Sequence, residues 1–593
     1  MITSKNILKQ ILIWRYKHFS ERQFIYILSV LVGFLAGLGT LALKNLTYFF
    51  HWVLEGNLIK EYHYSLYFLF PIIGLFLVYA IKNYLLQKEI GHGISTTLRS
   101  ISTKNGIIEQ YKMYASLITA PITVGFGGSV GLQGPAVSTG AALGSGVAQL
   151  FHMNMKTRML LIGCATAGAM SSMFQAPIAA IIFAVEIFSL DMAFGSLVPL
   201  LLASVAAVIT SYFFLGHDVL FGVTLQDTFQ INDLLFYVLL AVFTGFASVY
   251  FSKIYFKIIN FFKRFSSPFK RLIWGGLAIG LLLFLIPPLY GEGYGIINNL
   301  LTNNSEAALK DLPYNIDFSN VWMLIIFLLL IGVLKVVAMT TTFAAGGVGG
   351  IFIPTLVMGS ALGNVSAKII NQFGFSVSET NFTLIGMTGL MAGVLHAPLT
   401  AIFLIAEITG GYDLFVPLML VAAISYAITK YFIENSIYTV ELAEKGELIT
   451  HNKDKNVMMM MDMEKVVETN FISIHAEMTL GEMLQEAVAV SSRNIFPVVD
   501  KEDAFLGIVL LDDIRPIMFD HTLYTNVKVV DFMKSAPALI FKTDTTEIVM
   551  DKFKESGAWN LPVVCNQNKY VGFISKSKLL SAYRAKLLEV TNS

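Results

Sequence analysis

Apolar runs recur along the chain from Ile25 to about Phe432 and then stop. The first run, from about Phe24 to Leu43, is long enough to span a bilayer, which takes roughly 20 residues. It lacks an A-x-A cleavage site, so it predicts a retained helix and not a signal peptide. Beyond Phe432, apolar and polar residues alternate at helix and strand periods. The pattern predicts a polytopic helical membrane part followed by a soluble part, with the boundary near residues 440–455.

Composition agrees with a membrane protein and narrows the classes of partner. Hydrophobic residues make up 55% of the 593 residues, charged residues make up 14%, and the mean hydropathy is +0.66. The net charge is +1, so no global feature indicates a nucleic-acid partner. Cys164 and Cys565 are the only cysteines, which argues against a disulfide framework or a thiolate metal site. We therefore expect no metal and no nucleic acid.

A pattern in the soluble part occurs twice. Pro497 and Gly507, in an apolar Pro-Val-Val context, recur as Pro562 and Gly572, 65 positions later. This spacing indicates a tandem duplication. Each unit has the pattern of a helix, a strand, a turn, a second strand and a helix, which predicts a pair of α+β domains.

The membrane part also contains an internal repeat. The segment Ala176–Ile187 is paralleled by Ala397–Ile408, and Glu186 and Glu407 stand at equivalent places, 221 positions apart. Two related halves are typical of transport proteins, whose substrate site lies near the midplane at the interface between repeats. An odd number of spans per half would invert one half relative to the other, but the pattern does not fix that number.

Each half contains a glycine-rich segment inside a long uncharged stretch, residues 113–155 in the first half and 336–367 in the second. Such segments cannot form continuous helices, and broken backbone at membrane depth is tolerated only inside protein or beside a watery cavity. Helices that start near Pro135 and Pro354 would direct unpaired N–H groups and the positive dipole end at the break, which suits an anion. Without Lys or Arg in these stretches, an anion would enter and leave rapidly. Close helix packing is the alternative role of the glycines; their occurrence in both halves favours the anion site.

These segments resemble the signature elements of the CLC chloride channels and transporters. Gly131-Leu132-Gln133-Gly134-Pro135 resembles G-[KR]-E-G-P, Gly350-Ile351-Phe352-Ile353-Pro354 resembles G-x-F-x-P, and Gly91-His92-Gly93-Ile94-Ser95 resembles G-S-G-I-P less well. Ser436-Ile437-Tyr438 resembles the segment that places the pore tyrosine, and the duplicated tail resembles a tandem pair of CBS domains. The resemblance implies an all-α polytopic membrane protein with the inverted-repeat CLC fold and broken half-helices, followed by an α+β CBS pair. The implied boundaries are 1–440 for the anion-permeation domain, 441–457 for a linker, and 458–520 and 521–593 for the two CBS domains.

The resemblance also implies a homodimer in a lipid bilayer, with chloride as the transported ion and no cofactor required. The residues implied for the central anion site are Gly91, His92, Gly93, Ile94, Gly350, Ile351, Phe352, Ile353 and Tyr438. The residues implied for the gate and the outer anion site are Gly131, Leu132, Gln133, Gly134 and Pro135. His92 stands where the family has serine, and either its imidazole donates to the anion or its side chain faces away and only the main chain takes part.

Two departures from the family pattern concern carboxylates. Gln133 replaces the glutamate that competes with chloride when ionised, and an amide of the same shape cannot ionise. Antiporters of the family that use an internal proton-transfer glutamate carry it where this chain has Ile187, next to Glu186. Glu186 is an intramembrane acid and a functional candidate, although its repeat partner Glu407 favours a structural role at a helix end. The sequence thus predicts a passive chloride channel; a chloride/proton antiporter with protons passing through Glu186, His92 or water is the alternative.

Other functions and the cellular location are expected as follows. An intramembrane enzyme, suggested by His396, is disfavoured because no Gly-x-Ser-x-Gly element occurs with an obvious His partner and the intramembrane acids form no recognisable aspartyl pair. CBS pairs of many proteins bind adenine nucleotides, but each unit here has half of the pattern, Asp513 in the first and Ser575 in the second, so nucleotide binding and a purely stabilising, dimerising module both remain open.

The basic segment of residues 253–271 indicates a cytoplasmic loop. With the basic N-terminus, it predicts a multi-pass protein of the bacterial inner membrane with both termini in the cytoplasm.

Overall fold

The computed structural model describes residues 17–55, 58–88, 90–91, 93–188, 194–216, 229–309, 320–445, 463–565 and 567–592, with single residues 15, 221, 312, 447, 458 and 461. His92, residues 1–14 of the basic N-terminus and residues 448–457 of the expected linker lie outside the described residues. The chain divides into two compact units, Met1–Leu448 and Ile449–Ser593.

The first unit is helical. Its helices are α1 (Glu21–Glu55), α2 (Leu58–Ala80), α3 (Ile94–Thr103), α4 (Tyr111–Gly125), α5 (Gln133–Leu150), α6 (Met155–Phe174), α7 (Pro177–Phe188), α8 (Phe194–Leu215), α9 (Leu234–Lys263), α10 (Pro268–Leu285), α11 (Tyr294–Leu301), α12 (Val321–Ala344), α13 (Phe352–Gln372), α14 (Glu379–Leu395), α15 (Pro398–Ile408), α16 (Phe415–Phe432) and α17 (Val440–Glu444). Among the described residues, eight helices are long and apolar enough to cross a membrane, whereas α7 and α15 are shorter apolar helices. The polytopic membrane part that the apolar runs predict is present.

The helices pack in the same way in both halves. Helix α5 lies on α6 and α1 lies on α8 in the first half, while α13 lies on α14 and α9 lies on α16 in the second. Glycines allow the closest of these contacts. A Cβ atom added to Gly359 of α13 would lie 2.6 Å from the carbonyl oxygen of Gly386 in α14, so no larger residue fits there. Small residues therefore serve helix packing in addition to any role at the breaks.

The two glycine-rich segments break the helices at equivalent points. Helix α4 ends at Gly125 and α12 ends at Ala344. Two residues later in each half a glycine has left-handed backbone, Gly127 with φ +91° and Gly346 with φ +101°. Glycine adopts this conformation without the steric penalty of a side chain, so the chain can turn and begin α5 and α13. The expected broken half-helices are confirmed.

The second unit consists of two three-stranded sheets with short helices. The first half contains β1 (Ile474–His475), β2 (Ile495–Val499) and β3 (Phe505–Leu510), with α18 (Leu480–Met483), α19 (Leu511–Ile514) and α20 (Val529–Phe532); the second contains β4 (Ile540–Phe541), β5 (Asn560–Val564) and β6 (Tyr570–Ser575), with α21 (Thr546–Ser556) and α22 (Lys576–Asn592). In each sheet the middle strand is parallel to the first and antiparallel to the third. The pair Ile495↔Leu510 returns as Asn560↔Ser575, which confirms the 65-residue duplication.

Candidate functional site

The two helix breaks meet inside the first unit. The N–H of Gly131 donates to the carbonyl oxygen of Gly350 at 2.9 Å, and the N–H of Gly350 donates back to Gly131 at 2.6 Å. Each break also donates to the helix that ends at the other break. The N–H of Ser129 reaches the Thr342 hydroxyl at 3.3 Å, and correspondingly the N–H of Val348 reaches Thr123 at 3.1 Å. Reciprocal contacts between equivalent residues define a local twofold axis relating the two halves.

Three helices begin at this junction. Helices α5 and α13 start directly after the paired glycines, and α3 starts after Gly93. A Cβ atom added to Gly350 would lie 2.6 Å from the Gly134 nitrogen, and one added to Gly93 would lie 2.6 Å from the Gly134 carbonyl oxygen. The first N–H groups of a helix have no partner within it, and its N-terminus carries partial positive charge. The structure thus brings residues of the three resembling motifs to one buried place whose chemistry suits an anion.

Four further predicted residues of the central site are buried. Ile351 and Ile353 are almost fully buried, and the Phe352 ring lies 5.1 Å from the Phe174 ring, centroid to centroid. The Tyr438 hydroxyl is buried without a hydrogen-bond partner among the described residues. Burial raises the pKa of Tyr438 above its usual range, so the hydroxyl keeps its proton. A buried hydroxyl of this kind is available to donate to a ligand.

Gln133, the first residue of α5, is fully buried. Its side-chain Nε2 donates to the Tyr294 hydroxyl at 2.9 Å, while Oε1 has no partner among the described residues. Tyr294 begins α11, a helix that none of the sequence motifs includes. The amide at the predicted gate position therefore hydrogen-bonds to a residue 161 positions away, which no local sequence signal marked.

Charged side chains lie beside the start of α5, contrary to the expectation drawn from the uncharged stretches. Oε1 of Glu292 accepts a hydrogen bond at 3.0 Å from the N–H of Leu132, the residue before Gln133. Lys335 is fully buried, and its ammonium donates to the carbonyl oxygens of Leu289 and Gly291. Lys44, also buried, donates to the carbonyl oxygens of Ser172 and Met173. The uncharged stretches therefore do not describe the surroundings of α5, because distant elements bring charged side chains close to its start.

A cavity of about 350 Å³ lies beside Glu292 and Lys44. Lys44, Leu132, Glu292 and Tyr294 all line it, and His51 of α1 faces it as well. The cavity therefore borders both Leu132, the residue before Gln133, and Tyr294, the tyrosine that accepts a hydrogen bond from the Gln133 amide.

The carboxylate of Glu186 caps a helix of the other half. It accepts hydrogen bonds from the N–H groups of Leu399 and Thr400, at 3.2 and 2.8 Å, and from the Thr400 hydroxyl at 2.6 Å. These groups lie in the first turn of α15, where N–H groups lack intrahelical partners. The interpretation of Glu186 as a residue that satisfies a helix end is confirmed.

Glu407 makes the reciprocal contact. Its carboxylate, in α15, accepts hydrogen bonds from the N–H groups of Ile178 and Ala179, in the first turn of α7, at 3.0 and 2.8 Å. Helices α7 and α15 therefore run antiparallel, each capped by a glutamate near the end of the other. This second pair of reciprocal contacts obeys the same twofold relation as the paired breaks.

Replacing Glu186 by alanine is expected to destabilise the protein by about 1–3 kcal/mol, because the N–H and hydroxyl groups of the buried Thr400 and the N–H of Leu399 lose their acceptor. Glu186→Gln keeps a side-chain oxygen and should cost less. Thermal unfolding of the detergent-solubilised protein measures both, with Glu407→Ala as the matched variant in the other half. An unchanged unfolding temperature for Glu186→Ala would contradict the capping role.

In the CBS pair, both candidate nucleotide residues already have protein partners. Asp513 forms an ion pair with Lys534 at 2.7 Å. The Ser575 hydroxyl donates to Glu468 at 2.9 Å, and Glu468 in turn pairs with Arg493 at 3.0 Å. A nucleotide that used Ser575 would have to compete with the Glu468 carboxylate. Across the described residues, no group of three or more His, Cys, Asp or Glu side chains is placed to hold a metal ion.

Sequence comparison identifies the class of protein that this geometry belongs to. The profile of the family described as Voltage gated chloride channel matches residues 73–430, and the CBS domain profile matches residues 463–520 and 529–585. The chain therefore belongs to the CLC family of voltage-gated chloride channels and carries two CBS domains. Members of this family are transporters or channels.

Individual relatives agree with this assignment. The putative chloride channel protein ClcB-like of Ralstonia nicotianae is 27% identical over 63% of this chain and 84% of its own length. The voltage-gated ClC-type chloride channel ClcB of Escherichia coli is 27% identical over 56% of this chain and 77% of its own. Among solved structures, a slow cyanobacterial Cl⁻/H⁺ antiporter superposes with a TM-score of 0.60 at 20% identity, covering 72% of this chain and 98% of its own. A eukaryotic CLC transporter gives 0.59 at 16% identity, covering 94% and 99%. These two similarities establish the fold.

Proposed function

We propose that the protein is a passive chloride channel. The observation that carries the proposal is Gln133, which stands at the start of α5 with its amide held by Tyr294 and cannot ionise. It therefore cannot carry a proton through the pathway or compete with chloride as an anion. Ile187 offers no carboxylate at the internal proton-transfer position, and the neighbouring Glu186 is engaged as a helix cap.

The proposal assigns the anion sites to the junction of the broken helices. The central site would be formed by main-chain groups of Gly91–Ile94 and Gly350–Ile353 with the Tyr438 hydroxyl, and the outer site and gate by residues Gly131–Pro135. The meeting of Gly131 with Gly350, the closeness of Gly93 to Gly134 and the unpartnered Tyr438 hydroxyl support this assignment. Amide N–H and phenol O–H groups bind chloride without a fixed charge, which allows fast exchange.

A chloride gradient across proteoliposome membranes is expected to drive chloride flux without uphill proton movement. Chloride electrodes and a pH indicator in the same vesicles measure both ions, with empty liposomes as the control. Protons driven uphill by the chloride gradient would contradict the channel and establish the alternative, a chloride/proton antiporter that uses a non-standard proton path.

The oligomeric state and the membrane location are part of the same proposal. We propose a homodimer in the bacterial inner membrane with both termini in the cytoplasm, supported by the basic residues 253–271 at the end of α9 and the start of α10. The proposed role of the CBS pair is to stabilise that dimer. The existing partners of Ser575 and Asp513 support this role over adenine-nucleotide binding.

A further inference from the structure

A carboxylate lies at the N-terminal end of α5 even though residue 133 lacks one. Glu292 belongs to the connection between α10 and α11, flanked by Gly291 and Gly293, both with left-handed backbone. This turn directs the side chain to the N–H of Leu132, with 3.0 Å between nitrogen and oxygen. The N–H group immediately before Gln133 is thus occupied by an acid from another part of the chain.

We propose that Glu292 is a pH-dependent gate that takes the place of the missing carboxylate at Gln133, an inference that rests on the proposed channel function. When ionised, Glu292 occupies the Leu132 N–H and repels an anion approaching the start of α5. When protonated, it loses its charge and holds that N–H less strongly, and the buried lysines then attract an anion into the cavity.

The charges around Glu292 support this exchange between carboxylate and anion. Lys44 of α1 and Lys335 of α12 both act electrostatically on Glu292, as does His51 of α1. The ammonium groups donate to main-chain carbonyl oxygens, so they remain in place when the carboxylate is neutralised. Protonation of the acid in a site with two buried lysines makes the net charge of the site more positive by one unit, which favours a small monovalent anion such as chloride.

Glu292 titrates near neutral pH. Burial raises the pKa of Glu292 to about 7, against the opposing effects of the Leu132 N–H, His51, Lys44 and Lys335. Above this pH the carboxylate is ionised and the gate is closed, and below it the carboxyl group is neutral and the gate is open. Tyrosine hydroxyls at Tyr48, Tyr67, Tyr290 and Tyr294 are the other titratable groups of the cavity wall, and tyrosines ordinarily keep their protons far above pH 7.

Chloride efflux from proteoliposomes at external pH 6 and pH 8 tests this gate. A group with a pKa near 7 is protonated about tenfold more often at pH 6 than at pH 8. We therefore expect the native protein to conduct about tenfold faster at pH 6. Glu292→Gln, neutral at both values, should conduct equally fast at both. Glu306→Gln is the matched control, because it removes an exposed carboxylate from the connection between α11 and α12.

The outcomes separate this inference from the channel proposal. A pH dependence that persists with the same midpoint in Glu292→Gln would overturn the gate. Loss of the pH dependence in His51→Asn, with Glu292 intact, would assign the titration to the imidazole and would also overturn the proposed Glu292 gate. If Glu292→Gln does not fold, Glu292→Asp serves instead, since a shorter acid should shift the midpoint. Uphill proton movement in the native protein would contradict the channel while leaving the pH comparison readable.

Discussion

Replacing Gln133 by glutamate is expected to lower chloride flux at pH 7.5 by about tenfold or more and to restore it in acid. The new carboxylate has nearly the shape of the amide, so it fits the same buried place. When ionised, it competes with chloride for the N–H groups at the start of α5. Two unit charges about 4 Å apart interact by about 4 kcal/mol at the effective polarity of a protein, and about 1.4 kcal/mol already corresponds to tenfold.

The pH profile of this variant distinguishes gating from damage. Glu292 lies beside the new acid, and like charges favour protonation, so recovery of flux should begin above the ordinary glutamate pKa of about 4.3. Gln149→Glu makes the same chemical change at the other end of α5 and should leave the flux without this pH response. Unchanged flux of Gln133→Glu across the pH range would show that residue 133 lies outside the pathway.

Gly350→Ala is expected to reduce chloride flux about tenfold or more, because it separates the two helix breaks. The added Cβ would lie 2.6 Å from the Gly134 nitrogen and 3.4 Å from the Gly131 carbonyl oxygen, and both are main-chain atoms that no side-chain rotation can move aside. Overpacking of this kind costs about 1–3 kcal/mol. The same displacement moves the start of α5 away from the start of α13, which separates the N–H groups of the proposed anion site.

Gly146→Ala is the matched control for this variant. Gly146 lies in α5, and an added Cβ there meets nothing within 4 Å. Because alanine favours helix over glycine by about 1 kcal/mol, this control should keep its flux and unfold at an equal or higher temperature. Flux assays and thermal unfolding of both variants provide the comparison. Normal flux in Gly350→Ala would contradict the requirement for close contact between the breaks.

The repeats in the sequence predicted much of the architecture. The offset between Glu186 and Glu407 marked equivalent positions, and the structure shows each residue capping the helix that carries the other. The offset between Pro497 and Pro562 likewise predicted two similar small domains, whose strand registers repeat at that spacing. Repeats are visible in one dimension because duplicated segments keep the residues that their local geometry requires. The inversion of the halves was not visible, because it depends on which helices cross the membrane.

The sequence by itself determined the family, the broken helices and the missing carboxylate at Gln133, since each depends on residues within a short segment. Only the tertiary structure decided what surrounds those segments. Residues 113–155 are uncharged along the chain, yet Glu292 contacts the residue before α5, Lys44 lines the same cavity, and Lys335 donates to the Gly291 carbonyl oxygen beside Glu292. They come from three other elements, and electrostatic interactions act through space irrespective of sequence separation. An absence of charge in a segment is therefore a statement about the chain, and the electrostatics of the pathway are set by the fold.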